Sequence, residues 1–227
     1  MTTLLLAEDL FLLTHDDNSG KAANTTSLDS GLAGALLLDL AAAGRVTIAD
    51  GDGIVAVDGP VPHPLLAAAF RQIADSGTVR PPGQWVSRLP RELSPLAPTV
   101  GRSLVERGVL REEQSKTFGL FKTTTWPTVD PGPETELRGL LQSVLVAGQT
   151  PDTRTSHLVA LLSALDLVKE VVAKQDRKAA VSRAQAIKES AASSGAVADA
   201  VSASVQAVQV AILTAVIVPT VISTSSS

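Results

Sequence analysis

The C-terminal segment places the tightest constraint on the fold, because residues 200–227 contain no charged side chain and residues 208–222 are almost wholly apolar. A transmembrane helix needs roughly 20 predominantly apolar residues. Here Gln206, Gln209 and Pro219 interrupt the run, so a tail anchor is the weaker interpretation. A helix that is apolar on all sides also suits the centre of a helical bundle. We therefore predict that this helix is buried at the centre of the fold.

Composition favours a helical protein, and the start of the chain favours a cytoplasmic location. Hydrophobic residues make up 44% of the chain but aromatic residues only 3%, so Leu, Ala and Val must form the core, and Ala has the highest helix propensity. The chain has no Cys, which excludes disulfides and thiolate metal sites. Its start has no basic region and reaches Glu8 and Asp9 too early for a signal peptide. We predict a mainly α fold, with one domain over residues 1–222 and a disordered tail at 223–227.

Two stretches of the chain repeat the order helix, glycine, strand, turn and strand. In the first, residues 28–43 are a predicted helix, and Gly44 suits the left-handed position that follows a helix end. In the second, residues 99–107 and Gly108 occupy the same positions. Each unit ends in a predicted peripheral β-hairpin. The predicted strands are 45–48, 54–57, 109–112 and 117–122. The other predicted helices are 3–13, 64–74, 85–93, 134–147, 156–174, 177–193 and 197–218.

No set of residues in the sequence forms a recognisable catalytic or metal site. His15, His63 and His157 lie far apart and lack the paired spacing of a zinc-binding helix. The chain has no G-x-S-x-G motif. The acidic residues are expected on helix surfaces as solvating charge. We therefore predict that the protein is not an enzyme and binds no metal or other cofactor.

The returning strand of the second hairpin carries two of the four Phe residues of the chain. Phe118, Leu120 and Phe121 lie between Lys116 and Lys122. Large apolar side chains with Lys neighbours suit insertion at the headgroup boundary of a bilayer. Packing of one face of this strand on the core is the alternative interpretation.

Arginines are concentrated in the middle of the chain, and Arg is suited to bidentate recognition of phosphate. The concentrated set is Arg80, Arg88, Arg91, Arg102, Arg107 and Arg111. The net charge of −4 argues against wholesale coating of nucleic acid or anionic lipid, so any anion binding must be local. Arg88, Arg91 and Arg102 are the candidate ligands of a lipid headgroup. Ordinary surface charge, balanced by nearby glutamates, is the alternative interpretation.

Several blocks of the sequence, in their order, resemble the Golgi phosphoprotein 3 family. The N-terminal blocks are TLLLAEDLFLL at 3–13 and SGLAGALLLDLAAAGRV at 30–46. The central blocks are LVERGVL at 104–110, FGLF at 118–121 and TWP at 125–127. The Ala-rich composition resembles the bacterial branch of that family.

This resemblance implies helices around an apolar bundle, with hairpins at the periphery. It also implies an activity, because eukaryotic members bind phosphatidylinositol 4-phosphate, insert a hairpin tip into the membrane and hold membrane proteins such as glycosyltransferases there. The inserting hairpin corresponds to residues 111–122, which makes Phe118, Leu120 and Phe121 the predicted inserting residues. The expected location is cytoplasmic and peripheral to a membrane.

The lipid pocket of the family uses a Trp in the first loop, an Arg just after the Ser-Gly-Leu, and two Arg three residues apart. The aligned positions here are Asn24, Ala33, Ser94 and Ala97, and none keeps the residue of the family. Arg88 and Arg91, which are also three residues apart, are the candidates to replace the missing pair.

The predicted partners are anionic phospholipid or phosphoinositide membranes, with membrane-protein tails and a second copy of the chain as further candidates. Two alternatives remain open. Helix, glycine and hairpin is also the order of a recognition helix and its wing, which would suit a winged-helix-like adaptor. The acidic pI and Glu106 beside Arg102 and Arg107 make nucleic acid the weaker partner. A soluble helical scaffold that binds proteins without lipid activity is the second alternative.

Overall fold

A computed structural model describes residues 3–15, 28–49, 53–117 and 121–193, with backbone alone at 115–117, 121–123 and 191–193. This part of the chain is mainly helical, which confirms the predicted fold class. Its helices are α1 (Leu6–Leu13), α2 (Leu28–Ala42), α3 (Pro64–Ala74), α4 (Pro82–Glu92), α5 (Leu96–Glu106), α6 (Gly132–Leu145), α7 (Thr153–Ala164) and α8 (Arg177–Ser193), with a 3₁₀ turn at Val168–Glu170. Its strands are β1 (Val46–Ala49), β2 (Gly53–Ala56), β3 (Glu113–Thr117) and β4 (Phe121–Thr125).

Helices α1 and α2 form the centre of the described fold. All residues of α1 are buried, and α2 is buried continuously from Gly31 to Ala41. Helix α1 packs against α2, α5, α6 and α7, and α2 also contacts α3 and α4. Helices surrounded in this way must be apolar on nearly every side, as both sequences are. The predicted C-terminal helix at 197–218 lies outside the described residues.

Two helices end in the same glycine-based cap, as the sequence predicts. Gly44 has φ of 65° and Gly108 has φ of 75°, both in the left-handed region. After α2, Arg45 N–H donates to Leu40 O and Gly44 N–H to Ala41 O; the equivalent pair of bonds follows α5. This is the Schellman arrangement, which satisfies carbonyls left open at a helix end.

Each cap leads to a two-stranded antiparallel hairpin, but the second hairpin differs from the prediction. Its strands are β3 and β4, about four residues later than predicted. The reason is that Val109 and Leu110 are buried, and Leu110 forms a β-bridge with Thr128. The residues predicted as a projecting strand therefore anchor the base of the hairpin to the core.

Helix α7 is shorter than the predicted 156–174. It starts earlier because the carboxylate of Asp152 accepts the N–H of Thr155 at 2.7 Å, which caps the helix. It ends at Ala164, and Asp166 adopts a left-handed φ of 55°. The apolar pattern of the sequence continues past this break, where Val168, Val171 and Val172 are buried without being part of the helix.

Within the described helices, none combines the length and the apolar character needed to cross a membrane.

Candidate functional site

Three carboxylates lie inside the apolar centre of the fold. Glu8 is fully buried, Asp9 is 8% exposed and Asp39 is 9% exposed. The first two belong to α1 and the third to α2. The expectation that the acidic residues are surface charge is therefore wrong for these three. A buried carboxylate is costly unless it is paired or hydrogen-bonded, so each of them needs partners.

Arg154 at the start of α7 supplies partners for two of these carboxylates. Its Nη2 lies 2.6 Å from Asp9 Oδ2, and its Nη1 lies 3.3 Å from Asp39 Oδ1. Nη2 also donates to the Leu4 carbonyl at 2.6 Å. The second oxygen of Asp39 accepts the N–H of Leu6 at 2.8 Å. One guanidinium group thus connects α7 to both central helices.

Four groups interact with the carboxylate of Glu8. It accepts hydrogen bonds from the Leu5 N–H at 2.8 Å and from the Ser103 hydroxyl at 2.7 Å. His63 Nε2 lies 3.3 Å from Glu8 Oε1, and Arg107 Nη1 lies 3.8 Å from Glu8 Oε2. Glu8 therefore holds α1 to the residue before α3 and to α5.

These groups form a buried ion network in which acids and bases alternate. In order, its members are Asp39, Arg154, Asp9, Arg107, Glu8 and His63. Sequence reasoning missed this network. The available signal was that Glu8, Asp9 and Asp39 each interrupt an otherwise apolar helix, where a charged side chain is rare unless it is paired.

The carboxylates of the buried ion network differ in their acidity. Burial raises the pKa of Asp39 to about 7, against the opposing effects of Arg154 and the Leu6 N–H. Burial likewise raises the pKa of Asp9 despite the attraction of Arg154. Burial would raise the pKa of Glu8 too, but hydrogen bonds from His63, Leu5 and Ser103 outweigh it and lower that pKa. Asp39 thus changes charge near neutral pH, whereas Glu8 stays ionised.

A cavity of about 750 Å³ opens beside the buried ion network, at the base of the second hairpin. Asp9, Arg107 and Arg154 form its charged inner wall. Asp130 and Glu136, which are exposed, lie on its outer part. Its apolar walls come from Leu4, Val109, Pro133, Leu137 and Leu140. We call this space the hairpin-base cavity.

The arginines predicted to bind a headgroup lie on the surfaces of α4 and α5, and they are not among the residues that line the hairpin-base cavity. Arg88 is exposed and forms an ion pair with Glu92 at 2.7 Å. Arg91 and Arg102 are exposed and have no ion pair with any described residue, although Arg102 Nη2 donates to Thr99 Oγ1 at 3.2 Å. Two of the three are therefore exposed cations that form no ion pair within the described chain.

The predicted inserting residues fall mostly outside the described part. Phe118 and Leu120 belong to residues 118–120, which connect β3 to β4 and are not described. Phe121 begins β4, and its backbone pairs with Thr117 of β3.

Three of the four positions aligned with the lipid pocket of the resembling family are described, and none of these three lines the hairpin-base cavity. Asn24 is outside that part, Ala33 is fully buried and Ser94 is exposed. The N–H of Ala97, in the first turn of α5, donates to Asp29 Oδ1 at 3.2 Å. A carboxylate of the protein thus occupies a helix N-terminus, a place that otherwise favours bound anions.

The fold defines a mainly helical domain with two peripheral hairpins and a charged network at its centre. The model of the family described as Golgi phosphoprotein 3 (GPP34) matches residues 6–208, so the chain belongs to that family. The resemblance predicted from the sequence is thereby confirmed. A search among curated proteins finds no match.

Proposed function

We propose that this protein is a non-catalytic peripheral membrane protein that docks on anionic phospholipid at the cytoplasmic face of a membrane. The side chains that meet the lipid phosphates are Arg88, Arg91 and Arg102. The residues that enter the bilayer boundary are Phe118, Leu120 and Phe121 at the end of the second hairpin.

The observation that carries this proposal is the exposure of Arg91 and Arg102 without ion pairs among the described residues. They lie on α4 and α5, two helices that pack against each other, and α5 leads directly into the second hairpin. An exposed guanidinium group that is free of carboxylates can bind phosphate through two parallel hydrogen bonds. Arg88 is a weaker candidate because Glu92 already pairs with it.

The anchored base of the second hairpin supports the insertion part of the proposal. Arg111 N–H donates to Pro127 O at 3.0 Å, and Val129 N–H donates to Val109 O at 2.9 Å. These bonds tie the two stems of the hairpin to each other, and Val109 and Leu110 in the first stem are buried in the core. A fixed projection lowers the entropy lost when its tip meets a partner.

We place phosphatidylinositol 4-phosphate within the proposed ligand class, because the family is named for Golgi phosphoprotein 3 and the resemblance implies this lipid. Ala33 and Ala97 offer no guanidinium group, and Asp29 stands at the N-terminus of α5. We therefore expect weaker discrimination among anionic lipids than an enclosed arginine pocket would give. Holding the tails of membrane proteins at the same surface is a further part of the proposal.

Co-sedimentation with liposomes tests the proposal. Vesicles of phosphatidylcholine alone are compared with vesicles that also contain phosphatidylinositol 4-phosphate, and with phosphatidylserine vesicles of equal charge. We expect binding to both anionic types and little binding to the neutral vesicles. Equal absence of binding to all three would reject the proposal.

Two variants separate the proposed contacts. Arg88→Gln/Arg91→Gln/Arg102→Gln should lose most binding to anionic vesicles. Phe118→Ser/Leu120→Ser should reduce binding while retaining its dependence on anionic lipid. The matched control is a triple variant that removes three positive charges from α8 and the residues just before it, Lys174→Gln/Lys178→Gln/Lys188→Gln. If the control loses as much binding as the arginine variant, net charge rather than this surface determines binding.

A further inference from the structure

The hairpin-base cavity has the size and composition of a small-molecule site. Its volume of about 750 Å³ lies within the roughly 300–1,000 Å³ typical of ligand pockets. Its walls combine apolar side chains with a few charged groups, one of which, Asp9, has a raised pKa. This combination marks binding sites in proteins generally. The charged groups indicate which ligand the cavity accepts.

Carboxylates outnumber guanidinium groups in and behind the wall. Asp9, Asp130 and Glu136 line the cavity, and Glu8 and Asp39 lie behind it in the buried ion network. The guanidinium groups are those of Arg107 and Arg154, and each already faces carboxylates of that network. An anion would therefore meet a net negative site.

The outer carboxylates are the ones still open to a ligand. Glu136 has no ion pair with any residue of the described ranges. Asp130 Oδ1 accepts the N–H of Gly132 at 2.9 Å, and Asp130 likewise has no ion pair with another described residue. Beside them, Leu137 and Leu140 on α6 and Val109 at the hairpin base provide apolar contact.

We propose that the hairpin-base cavity binds an organic cation that carries an ammonium group on an aliphatic chain. Glu136 and Asp130 face the ammonium group, and Leu137, Leu140 and Val109 contact the chain. The proposal does not depend on membrane docking, because its residues include neither the three lipid-binding arginines, Arg88, Arg91 and Arg102, nor the residues of the hairpin tip.

NMR titration of the ¹⁵N-labelled full-length protein tests this site. The probes are n-hexylammonium chloride, sodium hexanoate and hexanol, which share a chain and differ in charge. We expect saturable shifts of the Val109, Gly132 and Leu140 amides with hexylammonium. Hexanol should bind about tenfold more weakly, the difference that two exposed carboxylates together can contribute. Equal affinity for hexanoate, or shifts only at residues remote from the cavity, would overturn the proposal.

Isosteric variants provide the second test. Asp130→Asn/Glu136→Gln keeps the oxygen that accepts the Gly132 N–H and removes both charges. It should lower the affinity for hexylammonium about tenfold. The control Asp75→Asn/Glu170→Gln removes two exposed carboxylates that do not line the cavity, and should bind like the wild type. Unchanged affinity in the Asp130→Asn/Glu136→Gln variant would contradict the assignment.

The source of the amine is distinguished by one further probe, dihexanoyl phosphatidylethanolamine below its micellar concentration. Tighter binding of this lipid than of hexylammonium assigns the amine to a lipid headgroup. Tighter binding of hexylammonium assigns it to a free amine.

Discussion

The guanidinium group of Arg154 lies 3.3 Å from the carboxylate of Asp39, although 115 positions separate the two residues along the chain. The same group lies 2.6 Å from Asp9, so α7 is joined to both central helices by one side chain. Removing it leaves two neighbouring buried carboxylates without their strongest partner. We predict that Arg154→Ala lowers the free energy of unfolding by about 3 kcal/mol, the lower end for a broken buried pair, because Arg154 is partly exposed. Urea denaturation measures this loss.

The matched control for that change is Arg111→Ala. Arg111 pairs with Glu113 at 2.9 Å, but both side chains are exposed. Exposed pairs contribute roughly 0–1 kcal/mol. A similar loss in the two variants would show that burial of Asp9 and Asp39 does not determine the cost.

The contribution of Asp39 to the stability of the protein should decrease as the pH rises towards 7. Asp39 has a pKa of about 7 when folded, against an ordinary value of 3.8. Between these values the folded protein binds more protons than the unfolded chain, so the free energy of unfolding falls as pH increases. The raised pKa of Asp9 contributes with the same sign. We predict a flatter profile between pH 5 and 8 for Asp39→Asn, which keeps an oxygen for the Leu6 N–H, in urea denaturation at each pH.

The exposed substitution Asp75→Asn is the control for this pH dependence, and its profile should follow that of the wild type. A profile of Asp39→Asn that is as steep as that of the wild type would contradict the assignment to this carboxyl group.

The close approach of α5 to Trp126 makes Gly101 sensitive to substitution. A Cβ at this position would lie 2.9 Å from three atoms of the Trp126 ring. Trp126 is buried and packs edge-on against Phe11, with 5.9 Å between the ring centroids, so the Trp126 ring cannot move freely. We predict that Gly101→Ala destabilises the protein by about 1–3 kcal/mol in spite of the better helix propensity of Ala. Thermal denaturation measures this effect.

Gly139 in α6 offers the matched comparison. A Cβ there would meet nothing within 4 Å. Gly139→Ala should therefore stabilise the protein by up to about 1 kcal/mol. Effects of the same sign in the two variants would contradict the steric explanation.

The carboxylate of Asp29 at the start of α5 should weaken the binding of anionic lipid under the proposed function. Asp29→Asn keeps an oxygen for the Ala97 N–H and removes the negative charge. We predict that it raises the affinity for vesicles containing phosphatidylinositol 4-phosphate about two- to fivefold, the effect of one charge at a helix terminus. Co-sedimentation measures the change. Asp75→Asn is exposed elsewhere and should leave the affinity unchanged, so an equal gain in both variants would point to net charge alone.

Local sequence signals were sufficient for much of the fold. Helices α3 and α8 have the predicted bounds, and Gly44 and Gly108 adopt the predicted left-handed conformation. Each of these features depends on residues within a few positions of one another. The register of the second hairpin was not predictable in this way, because the contact of Leu110 with Thr128 decides it.

The buried ion network was even less predictable from local sequence signals. Glu8 and Ser103 are 95 positions apart, and Asp9 and Arg154 are 145 apart. No periodicity within one helix reports which distant cation meets a carboxylate. The sequence did predict the exposed arginines as candidates, since a cluster of like residues is visible without knowledge of the packing.

The complete enclosure of α1 has a consequence for synthesis on the ribosome. Two of the helices that cover it, α6 and α7, are translated more than a hundred residues later. At roughly 5–20 residues per second, its apolar surface waits many seconds for its final neighbours. The apolar segment therefore stays exposed on the nascent chain long enough for chaperones to bind it. Slower translation should increase the aggregation of the nascent chain.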